Sequence, residues 1–327
     1  MTTRTRKRVI HALSAALAVW TIAGVGIASA ADAADYPSRP VHYVIPFGPG
    51  GESDITARLQ QPIFQKITGQ DMIVEYKPGG GGAVGWSQLN SSKGDGYTIM
   101  GTNLPHIIVK PLMGNVGFKT DDITNVFMFQ YTPDAIVVNK DSEFKTLDDL
   151  IAYAKENPGR LTLSGSGSGT ANHMANVRFN KMTGTTTTYI PFKGTGAAYT
   201  AMRGGQVKAE WGYSTVAANH PDEVRLLAVA TDERMPLFPD VPTFKEKGID
   251  MVGGAYRGIA VPKSTPEPIR QKLSDLIGQV NATDQFKQEM DDRGFVRLNV
   301  PYGEIDKFMT EKTEVYTELA TEAGLIK

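Results

Sequence analysis

Four times in this chain a strand-length run of apolar or β-branched residues leads into a glycine-rich loop and then into a helical pattern. The loops are residues 47–54, 78–82, 164–170 and 193–196. The first follows Val41-His42-Tyr43-Val44-Ile45-Pro46 and precedes Ile55, Leu59, Ile63 and Ile67, whose spacing of four lays them on one helix face, with Ser53 or Asp54 as the natural N-cap. The second separates Met72–Tyr76 from a helix expected over Ala83 to Asn90. The third separates Leu161–Ser164 from one over Ala171 to Met182, and the fourth leads from Tyr189–Phe192 into a helix through Met202. Further strands are expected at 97–101, 135–139, 224–230 and 258–262. Thr146 caps a helix that ends at Asn157-Pro158-Gly159, and the C-terminal part is mainly helical, including Pro268 to Val280 and Tyr302 to Ala323. This alternation makes the chain α/β, and its length suits two lobes of roughly 120 to 180 residues each.

Glycine lets several backbone N–H groups turn towards one point, and the helix that follows adds partial positive charge at its N-terminus. Each loop alone is also what an ordinary turn or cap looks like; four in the same structural position point to an anion-binding cleft at the carboxyl ends of the strands. Gly80-x-Gly82-x-x-Gly85 matches a dinucleotide fingerprint in letters, but a run of four glycines makes that match easy and no acidic partner follows at the required distance. No G-x-S-x-G, H-E-x-x-H or Walker sequence occurs. His106, after Asn103-Leu104-Pro105, and His173, after the third loop, could each donate to a carboxylate or simply sit at a surface or cap. Arg257 reads as a cation facing the cleft, with a solvated arginine as the alternative. Of the five histidines, none is paired at metal spacing.

Charge and cysteine content narrow the class. With 34 basic and 35 acidic residues there is no basic field for nucleic acid, and with no cysteine there is no disulfide, thiolate metal site or thiol nucleophile. Arg4, Arg6, Lys7 and Arg8 precede an apolar run to about Ile27 and then Ala28-Ser29-Ala30, the three-part form of an export signal. Residues 1–30 carry four basic and no acidic residues, so their removal takes the formal charge from −1 to −5. An uncleaved anchor is the alternative, against which Gly24, Gly26 and the small-residue triplet count.

Tyr36-Pro37-Ser38-Arg39-Pro40, Phe47-x-Pro49-Gly50-Gly51-x-x-Asp54, Pro78-Gly79-x-Gly81-Gly82 and Asp95-Gly96-Tyr97-Thr98 occur in this order. Asn157-Pro158-Gly159, Gly204-Gly205-Gln206-Val207, Leu227-Ala228-Val229 and Pro239-Asp240-Val241-Pro242-Thr243-Phe244 follow. Together they resemble the substrate-binding proteins of tripartite tricarboxylate transporters, the Bug family, over essentially the whole chain after the signal. The resemblance implies a periplasmic two-lobed binding protein, type II-like, closing as a flytrap on a small organic carboxylate such as a dicarboxylate. It implies a monomer without cofactor or catalysis that delivers its ligand to membrane permease subunits. Residues 36–136 with 257–327 would form lobe 1 and 137–256 lobe 2, hinged near Ala135–Asn139 and Tyr256–Ala260. Ligand contacts carried over are Phe47, Gly50, Gly51, Ser53 and Asp54, then Gly80, Gly81 and Gly82. From lobe 2 they are Ser164, Gly165, Ser166, Thr170, Gly194 and Thr195, and His106 and Arg257 join them from the reading above. Lys208 after Gly-Gly-Gln-Val, the Tyr256-Arg257 pair and Glu52 depart from the family pattern, and Glu52 is unusual beside a carboxylate. A secreted enzyme using the same cleft, or a subunit presenting ligand to a sensor, are the competing functions.

Overall fold

Val41–Ile45 (β1) buries nearly its whole length and lies parallel between Met72–Tyr76 (β2) and Thr98–Leu104 (β3). Parallel neighbours require crossovers, and Glu52–Thr68 (α1) and the short helix Ala83–Trp86 (α2) supply them. The computed structural model describes residues 34–326; the export signal read at residues 1–30 lies outside the described residues. After β3 come His106–Met113 (α3) and Thr124–Asn139 (β4).

Strand β4 organises the molecule. Its first part, to Pro133, pairs antiparallel with Gly254–Val261 (β9), which also pairs with β3, and with Val296–Val300 (β10). From Asp134 on it pairs instead with Ala209–Tyr213 (β7) and Val224–Val229 (β8). One continuous strand therefore belongs to both lobes. In lobe 2, β7 is followed in order by the parallel strands Thr162–Gly165 (β5) and Thr188–Pro191 (β6). Leu147–Glu156 (α4), Ala171–Thr183 (α5), Thr195–Arg203 (α6) and Ser214–Asn219 (α7) cover that sheet. Glu267–Ala282 (α8), Asp284–Asp292 (α9) and Tyr302–Glu322 (α10) complete lobe 1.

The cores follow from strand alternation. Along β4, Ile136 and Val138 join Leu163, Phe179, Trp211 and Phe244, while Ala135 and Val137 join Met202, Val207 and Val229 on the other face. Lobe 1 has one core, built on Tyr43, Ile45, Phe64, Trp86, Phe127 and Ile277. Among the described residues no helix is long and apolar enough to cross a membrane.

Three local expectations change. Helix α1 starts at Glu52, capped by extended Gly51 without a side-chain bond, so neither Ser53 nor Asp54 is its N-cap. Asp54 lies inside the first turn, where its Oδ2 accepts the Gly50 N–H at 2.9 Å and its Oδ1 the Tyr76 hydroxyl at 2.6 Å. It ties down the loop instead of ending the helix. The helix expected over residues 83–90 stops at Trp86, which turns into the core and donates from Nε1 to the Gly101 carbonyl. The strand expected over 135–139 begins eleven residues earlier, at Thr124. Pro133 is in register with Gly254, at the place where the strand changes sheets.

Candidate functional site

Helices α1 and α6 belong to different lobes, and their N-termini meet. The Glu52 N–H, at the start of α1, points to Thr195 Oγ1, at the start of α6, across 3.4 Å. First-turn amides have no partner inside their own helix, and two such ends facing one point make a region of positive potential suited to an anion. A cavity of about 20 Å³ lies there, lined by residues of both lobes, among them Phe47, Gly51, Glu52, Asn103, Tyr213 and Arg257. That is space for about one water, so the lobes are closed upon each other. Direct contacts hold them: the Gly48 N–H donates to the Lys193 carbonyl at 2.9 Å, Lys110 Nζ to the Ser168 carbonyl at 2.7 Å, and the Thr215 hydroxyl to Glu52 Oε1.

Two of the lining residues, Asn103 and Arg257, belong to a row across the lobe 1 sheet. Asn103 of β3 and Gln130 of β4 are both in register with Arg257 of β9, so three residues far apart in sequence stand side by side. Arg257 is 3% exposed, which sets aside the solvated reading. Its Nη1 donates to Thr132 Oγ1 at 2.9 Å and lies 3.8 Å from Glu52 Oε2, while the guanidinium carbon sits 4.7 Å from the centre of the Tyr213 ring. Burial pushes the Glu52 carboxyl above its usual range, opposed by the Arg257 charge and the Thr215 hydrogen bond. Glu210, buried on β7, is pushed up further by burial and then by the charge of Glu52. His106 is held well below the usual imidazole range by burial, then by the charges of Arg257 and Lys110.

Of the residues nominated from sequence, the cavity brings together Phe47, Gly51, Ser53, His106, Ser166, Thr195 and Arg257. The others stand behind or beside it. Gly50 lines a side cavity of similar size with Glu52 and Thr195. Gly81 packs against Ser168 of the other lobe; a Cβ on it would lie 2.7 Å from that carbonyl oxygen. Gly80 and Gly82 turn the same loop with φ of 56° and 95°, and Gly194 packs on Phe47 and Gly48. The Ser164 hydroxyl donates to the Ala198 carbonyl within lobe 2, Gly165 lies against the Tyr189 ring, and Thr170 caps α5 through the His173 N–H. Asp54 faces its own loop.

Gly48, Glu52, Asn103 and Tyr213 complete the lining. Glu52 was legible only as an oddity within the first loop. Asn103 and Tyr213 carry no local signal, since each is the ordinary end of a buried strand until the sheet order is known.

Behind the cavity, Ser166 donates from N and Oγ to Asn172 Oδ1, and Asn172 Nδ2 donates to Asp134 Oδ1 at 3.2 Å. This chain links the lobe 2 loop to the residue where β4 changes sheets. Burial pushes the Asp134 carboxyl up to about 7, opposed by Arg178, Arg257 and the Asn172 amide. The unfolded chain releases this proton near pH 4 while the native protein keeps it until about pH 7, so stability should fall as pH rises through that interval and level off above it. For Asp134→Asn we expect a flatter profile, with a difference of roughly 4 kcal/mol at most, read from melting temperatures between about pH 4.5 and pH 8. Parallel profiles for the two proteins would place the native titration of Asp134 elsewhere.

The chain matches the tripartite tricarboxylate transporter family receptor over residues 56–325. The protein BugT of Bordetella pertussis is 32% identical over 264 residues, 79% of this chain and 81% of that one. The periplasmic binding protein BugD superposes with a TM-score of 0.84 at 28% identity, over 89% of this chain and all of that one. MatC of Rhodopseudomonas palustris, solved with bound malate, superposes with a TM-score of 0.80 at 26% identity, over 87% and 99%. The two-lobed α/β fold is thus shared with solved periplasmic binding proteins, and the chain belongs to the tripartite tricarboxylate transporter receptors, the Bug family.

Proposed function

We propose that this protein captures a small organic carboxylate outside the cytoplasmic membrane and delivers it, chemically unchanged, to the membrane permease of a tripartite transporter. The observation that carries the reading is the meeting of the α1 and α6 N-termini, one from each lobe, over a cavity lined by Arg257. A carboxylate there accepts hydrogen bonds from first-turn amides of both lobes, so it binds best when the lobes are shut. The malate bound by MatC supports a carboxylate as the ligand class. Ser53, Ser166 and Thr195 are assigned to the ligand as hydroxyl or amide donors and Arg257 as the cation beneath it. Gly50, Gly51 and Gly80–Gly82 are assigned to close backbone approach, and Ser164, Gly165, Thr170 and Gly194 to shaping the lobe 2 loops. We place the hinge where β4 changes sheets, at Thr132–Asp134, and where the chain enters β9 at Gly254, with residues 36–133 and 254–327 on one side and 134–253 on the other.

The ligand should be identified by mass spectrometry of what freshly purified protein releases on denaturation, then returned to stripped protein by calorimetry. Opening and closing should change the radius of gyration measured by small-angle scattering. Intrinsic fluorescence should follow the same motion through Trp86, whose ring packs edge-on against the cavity residues Phe47 and His106 at centroid distances of 5.9 Å and 6.2 Å. Trp211 is enclosed by Phe179 and Phe244 in the lobe 2 core. Trp86→Phe should therefore remove most of the ligand-induced signal and Trp211→Phe little of it. An unchanged radius at saturation would refute closure, and a ligand recovered in altered form would replace capture by catalysis.

A further inference from the structure

The polar atoms left without partners around the cavity are unequal in kind. Glu52 lines it, is 4% exposed, and has one carboxylate oxygen occupied by the Thr215 hydroxyl. Its other oxygen, Oε2, has no well-formed hydrogen bond, only the weaker pull of the Arg257 charge and the Thr132 hydroxyl. Arg257 does not fill that role: Nη1 is 3.8 Å away, beyond hydrogen-bond distance, and donates to Thr132 and towards the Ala255 carbonyl. Asn103, 2% exposed and lining the same cavity, gives its Nδ2 to Ser53 Oγ and leaves Oδ1 without a donor. Two buried acceptors, one of them a carboxylate oxygen, thus stand beside the place assigned to a ligand carboxylate.

A buried acceptor without a donor is costly, and an anionic ligand that brings only more acceptors leaves that cost in place and adds like-charge repulsion. A ligand with an N–H or O–H close to its carboxylate removes it. We propose that Glu52 and Asn103 make this site select carboxylates bearing an ammonium or hydroxyl group one or two carbons from the carboxylate over the same acids without one, an inference that rests on the carboxylate reading above. Glu52 supplies the acceptor and the negative charge, and Asn103 a second acceptor at the same wall. Arg257 and the helix amides hold the carboxylate. An ammonium ligand would leave the closed site with balanced charge, Glu52 against the ammonium and Arg257 against the carboxylate, whereas a hydroxyl ligand would satisfy the acceptors alone.

The test is calorimetry on stripped full-length mature protein with acids matched in carbon skeleton. The series are propionate, lactate and alanine; succinate, malate and aspartate; and glutarate, 2-hydroxyglutarate and glutamate. In whichever series binds, the donor-bearing members should bind at least about tenfold more tightly than the plain acid, because a site built around a hydrogen bond discriminates strongly against the analogue lacking it. The hydroxyl and amino arms then tell which donor the site takes. In Glu52→Gln that preference should shrink to within about threefold, the amino acids losing most, since an amide presents one acceptor and no charge. A plain acid that binds as tightly as its substituted partners overturns the inference and leaves carboxylate capture standing. An unchanged preference in Glu52→Gln with a native melting profile overturns the role of Glu52. Should that variant fail to fold, the comparison among acids on the native protein still decides. Binding by no member of any series would instead sink the carboxylate reading itself.

Discussion

Replacing Gly51 by valine is expected to weaken ligand binding by roughly a hundredfold while leaving the melting temperature of the ligand-free protein nearly unchanged. Gly51 has an ordinary extended backbone, with φ of −96°, so a side chain imposes no strain on its own loop. The obstacle lies in the other lobe: an added Cβ would sit 2.7 Å from Thr195 Oγ1 and 3.5 Å from the Gly196 nitrogen. Those atoms meet it only when the lobes are shut, so the substitution penalises closure and spares folding. Gly51→Ala should fall between the two. Thr195→Gly added to Gly51→Val should recover part of the affinity, because it removes the hydroxyl that valine would strike. Calorimetry with the ligand recovered from the native protein measures all of these. Native affinity in Gly51→Val would mean that ligand is held without the two helix ends meeting. Gly81 gives a less discriminating test, since its φ of 62° strains any side chain irrespective of the cleft.

Arg257→Ala should damage the fold as well as the site. The sequence reading of Arg257 as a cleft-facing cation implies a moderate loss of affinity in a stable protein. Its surroundings imply more. Removing it deprives Thr132 Oγ1 of a donor and the Tyr213 ring of its cation, and it leaves Glu52 buried without its nearest positive charge. Truncating one member of a buried charge pair costs about 3–5 kcal/mol, which in a protein of this size lowers the melting temperature by about 5–8 °C. The direction with pH follows from Glu52, whose carboxyl burial already raises: without Arg257 it rises further, so the penalty is largest where an unfolded carboxyl would be ionised and shrinks as pH falls and Glu52 is protonated. The melting difference should therefore narrow from about pH 8 to about pH 5. Adding Glu52→Gln to Arg257→Ala should restore part of the lost stability, since the second substitution removes the stranded charge. A double variant less stable than Arg257→Ala would show that Glu52 contributes packing and hydrogen bonding that outweigh its charge.

The α/β class, most strands and helices, and the positions of the four loops were legible in the chain because each depends on contacts among near neighbours. The β-branched run of β1, the apolar run of β8, the spacing of Ile55, Ile63 and Ile67 in α1, and the capping box at Thr146 and Asp149 are all local. Half of the site was legible for the same reason: Gly51, Ser53, Ser166 and Thr195 sit in loops whose glycines announce close backbone approach. Strand order decided what remained. Asn103, Gln130 and Arg257 share a row only because β9 returns between β3 and β4 after more than a hundred residues, and no spacing along the chain records that pairing. The strand expected over 135–139 extends back to Thr124 because local propensity cannot see that a single strand is leaving one sheet for another. Whether Glu52 faces water or a buried arginine, and whether Arg257 is solvated or enclosed, depends on how two lobes separated in sequence close on each other. Local propensity acts over a few residues, whereas burial, charge pairing and the unsatisfied acceptors of the cavity arise only when distant segments exclude water together.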